Sequence, residues 1–270
     1  MGVRAPGSIA VPSSKVGARL ASFGGQLNHK WVSNLSFVTI AQVVDLPGVR
    51  EAVEDARASM DLLRKQRILR TKGIGVRALV LSESARALAQ LGGIELPVAV
   101  ALLQSSISTA SAVATAPMQT LARFHAIALA AETDDDRGRP RNLTQEESAR
   151  LFSINELLAS ESQVPALIVA ALVMGEIMDL APFERANQVV AQTFFRSILI
   201  GRGFDPDALG LPEVGMLALG ATSFAPALAA YRSGSSQGVA LWLRHLCSAV
   251  QLGVQRGFEI CDEIGETSKR

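Results

Sequence analysis

Aromatic residues are scarce in this chain, at 5% of the total, with one tyrosine and two tryptophans. A β-rich core draws on aromatic and β-branched side chains. Against 49% hydrophobic residues and abundant alanine, the scarcity favours helices packed through small side chains over a β-rich fold. Excess charge is lacking too. The formal net charge is +1 with both signs scattered, so there is no basic footprint for nucleic acid or for an anionic membrane surface. No apolar run reaches the roughly 20 residues of a membrane span. The first residues lack a basic-then-apolar leader, and the sequence predicts a cytoplasmic chain. The two cysteines, Cys247 and Cys261, fall in one predicted helix. They stand about 20 Å apart along its axis, too far to bridge, and are expected as free thiols.

Metal and redox chemistry find no pattern either. His29, His125 and His245 are scattered, without an HExxH or CxxC spacing, so no metal site is predicted. His125, between Phe124 and Ala126, reads as a core or boundary histidine. Neither cysteine has the His and Asn context of a nucleophile. Gly73-Ile-Gly75 and Gly201-Arg-Gly203 are too short for a dinucleotide fingerprint and sit between helices, outside any βαβ setting.

What the chain does have is helical periodicity. Residues 1–47 read as an N-terminal arm and docked segment: Gly, Ser and Pro prevail at first, then the β-branched run Trp31–Val44 predicts a short strand or docked stretch. From Val49, the spacing of Val53, Ala56, Met60 and Leu63 predicts a helix to about Arg70, ending before Gly73 and Gly75. Further helices are expected over 77–91, closed by Gly92-Gly93, over 98–104, and over 118–132 after Pro117. Ser105–Thr115 reads as a loop with a helical turn. The polar run Thr133–Arg141 reads as an exposed flap. Thr144-Gln-Glu-Glu147 is a capping box that opens a helix to about Ala159. Pro165 opens a helix over 166–180 that is apolar nearly all round and therefore central. Helices over 187–202, 214–231 and 236–264 follow, then a disordered tail, 265–270. The fold expected is all-α: one helical domain over 48–264, with a small flap or hairpin before the central helix pair.

Pro182 breaks the central pair, and a helix leaves from about Asn187. A tight loop at a helix N-terminus offers unpaired N–H groups and the positive end of a dipole, a natural place for a phosphate. The loop reads Ala181-Pro182-Phe183-Glu184-Arg185-Ala186-Asn187-Gln188-Val189-Val-Ala-Gln192. It resembles the motif His-x-Phe-x-Asp/Glu-Gly-Asn-Gly-Arg-x-x-Arg of the Fic/Doc (Fido) family, helical proteins that typically transfer AMP from ATP to a target hydroxyl. The similarity covers about residues 50–260. Pro165–Asp179 looks like the helix leading into the family's loop, and Phe224–Tyr231 and Val239–Leu243 look like its closing helices.

Every departure from that motif has a chemical consequence. Where the resemblance implies a proton-accepting His, Ala181 accepts nothing. Where it implies an acidic Mg²⁺ ligand, Arg185 repels the metal, although it can pair with a phosphate. Ala186 and Gln188 replace glycines, so a positive φ there costs about 1 kcal/mol or more each. Val189 and Gln192 replace the two arginines that clamp the phosphate tail. Glu184 as a metal ligand shifted by one residue would be re-aimed by the tight loop. The family's inhibitory Ser/Thr-x-x-x-Glu-Gly/Asn helix aligns with Leu88-Ala-Gln-Leu-Gly92-Gly93, where its Ser and Glu are lost. The family's flap, which aligns a target segment, corresponds to Arg137-Gly138-Arg139-Pro-Arg141.

The resemblance thus implies a catalytically degenerate member that acts by binding a protein partner. It has no assigned catalytic residue, metal or certain cofactor, and ATP or another nucleotide is left only a residual anion site at Arg185, Asn187 and Gln188. The alternative is a divergent nucleotidyltransferase whose base comes from a partner. A third expectation is self-association through the N-terminal arm.

Overall fold

The computed structural model of the chain describes residues 40–130, 136–159 and 164–267, and among them every regular element is helical, with no strand. The arm through residue 39 lies outside the described residues. Where its docked segment enters them, Ile40–Val43 (α1) is a helical turn, not the strand that β-branching predicts. So short an apolar run does not distinguish the two by periodicity.

α2, Val49–Arg64, buries Val49, Val53, Ala56, Met60 and Leu63, the stripe its spacing predicts. It ends earlier than expected, because the Lys65 and Gln66 N–H groups turn back to the Leu62 and Leu63 carbonyls. α3, Ile68–Gly92, is broken by a kink at Lys72 (φ −127°, ψ 17°) and then continues helical through Gly73 and Gly75. It closes on Gly93 in the left-handed region, as Gly92-Gly93 predicts.

α4, Leu96–Ser108, extends past the predicted end at 104 into the serine-rich stretch, where the sequence predicts a loop with a helical turn. The Ser106 and Thr109 hydroxyls bond back to the Leu103 and Ser105 carbonyls, and Arg123 donates to Ser105, so these polar groups are satisfied inside the helix. A 3₁₀ turn at Ala110–Ala112 leads to α5, Pro117–Ala128, which is shorter than predicted.

α6, Gln145–Ala159, opens on the predicted capping box: the Thr144 N–H donates to Glu147 Oε2, and the Glu147 N–H to Thr144 Oγ1. α7, Ala166–Leu180, is buried without interruption from Leu167 to Ile177. α8, Asn187–Gly201, is buried from Val189 to Ile200 and packs along it. Each buried Val, Leu, Ile, Phe or Met of this pair contributes about 1.5–3 kcal/mol, so the pair is central to the core.

The predicted 214–231 helix is two helices, α9 (Pro212–Leu219) and α10 (Ala221–Arg232), bent by 99° at Gly220. Gly220 holds φ 74°, ψ 169°, a region that only glycine enters readily. α11, Ser236–Thr267, is the long spine, and it continues past the predicted end at 264. It crosses α9 at backbone contact: a Cβ on Gly215 would stand 1.7 Å from the Ala249 carbonyl oxygen, and one on Gly253 2.2 Å from that of Leu211. α11 is pinned to α7 by the Trp242 indole, which donates to the Ala171 carbonyl.

Candidate functional site

α7 ends on Ala181, which takes the left-handed conformation (φ 46°) and donates its N–H to the Ile177 carbonyl. Pro182 follows, where the chain no longer needs to donate. Ala186 then enters α8, also left-handed (φ 61°). The strain expected at position 186 is therefore present, whereas Gln188 lies inside the helix with no positive φ.

Side chains that could have faced a ligand hold this loop in shape. Asn187 Oδ1 accepts the Phe183 N–H at 3.0 Å, and Asn187 Nδ2 donates to the Phe183 carbonyl at 2.6 Å. Phe183 is buried and stacks on His125 of α5, with ring centroids 3.8 Å apart and planes 10° from parallel. His125 Nδ1 accepts the Gly138 N–H, which places the proton of the neutral ring on Nε2. A core histidine is what the sequence predicts; that it supports this loop has no signal in the sequence.

Arg141 completes the frame. Its backbone N–H donates to the Pro182 carbonyl, its Nε to that of Ala181, and its Nη2 to that of Leu180. One guanidinium thus caps the last carbonyls of α7, where a cation also meets the negative end of the helix dipole. Nη2 also pairs with Glu147 Oε1 at 2.7 Å. That bond, with the Thr144 N–H, holds the Glu147 carboxyl down to about 2.

Of the predicted flap, residues 133–135 lie outside the described residues; the rest is a turn at 136–138, where the Arg139 N–H donates to the Asp136 carbonyl, followed by an irregular stretch to Thr144. The hairpin predicted there is absent among the described residues: the one backbone bond from Arg141 to Pro182 makes no ladder. Flap and loop enclose a cleft of about 160 Å³ lined by His125, Asp136, Arg139, Arg141, Glu184 and Arg185. Arg137 is exposed on the same turn.

The predicted anion residues separate. Arg185 lines the cleft, Asn187 is committed to Phe183, and Gln188 reaches the other way, donating to the Leu91 carbonyl at the end of α3. Val189 and Gln192 are each 1% exposed. Val189 lies against Gly92, whose Cβ, were there one, would stand 3.1 Å from it. Asp136 and Glu184 also line the cleft, and of these two the sequence raises only Glu184, as a metal ligand re-aimed by the loop. No group of three or more His, Cys, Asp or Glu that could hold a metal ion occurs among the described residues.

No protein-family model matches this chain, and no curated protein matches it.

Proposed function

We propose that the chain is a binding and regulatory module on a Fic-like helical scaffold, engaging a protein segment at the cleft between the flap and loop 181–188. The observation that carries this reading is the use of the loop's own polar groups. Arg141 is spent on the end of α7 and Asn187 on Phe183, so the loop is a braced frame with Arg139, Arg185, Asp136 and Glu184 at its rim. A rim of both charge signs suits a peptide with its own mixed polar groups better than a polyphosphate.

Support for the scaffold comes from Gly92 and Val189. The resemblance makes them an inhibitory-glutamate position and a phosphate-clamp position, and they are in contact. The arginine that such a glutamate would restrain falls at Gln192, so with Gly92 and Gln192 neither half of that regulatory pair has chemistry left.

The test is a transfer assay with labelled ATP, other nucleotides and CDP-choline, alongside thermal shift with ATP, ADP and phosphate, with and without Mg²⁺. No transfer is expected. A bound ligand at 100 times its Kd would add about 2.7 kcal/mol of stability. Transfer that Arg185→Ala abolishes would overturn the binding reading in favour of a divergent transferase.

A further inference from the structure

Asp205, on the loop between α8 and α9, is 4% exposed. Its Oδ1 accepts the Leu209 N–H at 2.9 Å and its Oδ2 the Gly210 N–H at 2.8 Å, so the carboxylate cinches the loop from within. Arg196 of α8 holds the same loop from the core, donating to the Ala208 and Gly210 carbonyls. Ala208 is left-handed (φ 53°), a conformation unfavourable for alanine, so the closed loop is held against strain.

The charges under this loop do not balance. Arg196 is the cation whose charge acts on Asp205, yet its Nη1 is paired with Glu213 Oε2 of α9 at 2.8 Å, and both partners are buried. One buried cation thus meets two buried carboxylates, and Asp205 forms no ion pair among the described residues. The surrounding elements do not supply the missing charge. Asp207, on the same loop, adds a like charge from the surface, where it pairs with Arg64 of α2. Arg57 of α2 donates to the Gly203 carbonyl and pairs with Asp61. α3 brings the Ser84 hydroxyl toward Arg196, and α11 meets the loop with Gly253 and Gly257. A carboxylate buried without a counterion favours its protonated form.

We propose that the α8–α9 loop is an acid-set latch: Asp205 is charged at neutral pH, takes up a proton in mildly acidic solution, and with that proton locks the loop shut. A carboxylate has about four lone-pair sites, and the two N–H groups occupy two, so the proton is accommodated with both bonds kept. In the closed loop burial, opposed by the Arg196 charge and the two N–H bonds, raises the carboxyl to about 6. Opening carries it into water, where it returns to the ordinary value of 3.8. The open form therefore binds the proton less tightly. Opening is easiest above pH 6, becomes harder as pH falls through 6, and levels off below 3.8. Phe204, on the same loop, lies under the Arg57 guanidinium and lines the groove between α2 and the start of α7, so the latch sets the wall of that groove.

Two measurements on the full chain test this. Carbon NMR of the Asp205 carboxyl in the wild type is expected to show a titration centred near 6. Amide hydrogen exchange over residues 204–211, corrected for the intrinsic effect of pH, is expected to slow by about tenfold or more between about pH 7.5 and 4.5. Asp205→Asn, which carries no titrating proton, is expected to lose that response. The wild-type titration decides the matter even where Asp205→Asn does not fold. An Asp205 carboxyl that titrates at about 4, loop protection that stays level over that range, or a pH response that Asp205→Asn retains would each overturn the proposal.

Discussion

Arg141 and Glu147 are joined at 2.7 Å, and the Arg141 nitrogen in that pair also lies 3.0 Å from the Leu180 carbonyl. The N-terminal cap of α6 and the C-terminal cap of α7 therefore share one guanidinium. This couples the flap to the loop that the sequence makes most conspicuous.

Acid should release that coupling. The Glu147 carboxyl, held to about 2 first by its hydrogen bond to Arg141 and then by the Thr144 N–H, lies below its ordinary value of 4.5. Its contribution is fully present above pH 4.5 and is lost as pH falls from there toward 2. Arg141→Ala should flatten the acid limb of the stability curve between those values, measured by urea titration at each pH, whereas Glu147→Gln should lower stability at neutral pH.

The loop itself offers two substitutions of opposite sign. Asn187→Ala removes both bonds to Phe183 and should cost about 1–3 kcal/mol. Ala186→Gly relieves a left-handed alanine (φ 61°) and should stabilise by about 1 kcal/mol. Chemical denaturation reads both; a destabilised Ala186→Gly would mean the Ala186 methyl matters more than its backbone strain.

The chain's one tyrosine, Tyr231, is a convenient reporter. Its hydroxyl donates to Glu176 Oε1 at 2.5 Å, and burial, then the Glu176 charge, raise its pKa well above 10. Because the unfolded phenol gives up its proton first, stability should fall as pH rises above about 10. Absorbance at the tyrosinate band should then appear with unfolding and not before it. Gly175→Ala, whose Cβ would stand 2.6 Å from the Tyr231 ring, should destabilise by about 1–3 kcal/mol through overpacking.

Both cysteines should be silent toward thiol reagents in the native protein. Cys247 and Cys261 are buried and free, and burial pushes the Cys247 thiol up to about 12. Two equivalents of Ellman's reagent are expected to react only in denaturant. Fast reaction under native conditions would show that α11 opens locally.

What could be read from the sequence is what neighbours along the chain decide. The α2 stripe, the 144–147 capping box, the start at Pro165 and the stop at Gly93 depend on groups within about one helical turn of each other, and each lies where its local pattern places it. The all-helical character followed from those periods and from the scarcity of aromatics.

Tertiary structure decided the rest, because its physical causes lie far apart in sequence. Gly73 and Gly75 look like a stop, yet they continue α3, since helix packing outweighs a propensity cost of about 1 kcal/mol each. Gly215 and Gly253 are close contacts of one helix with another, invisible until α9 meets α11. His125 beneath Phe183, Arg141 across the end of α7, and Gln188 turned toward α3 place the polar groups around loop 181–188. The sequence alone made that loop a candidate phosphate cradle; the distant partners of its side chains make it a braced frame with a small charged cleft at its edge.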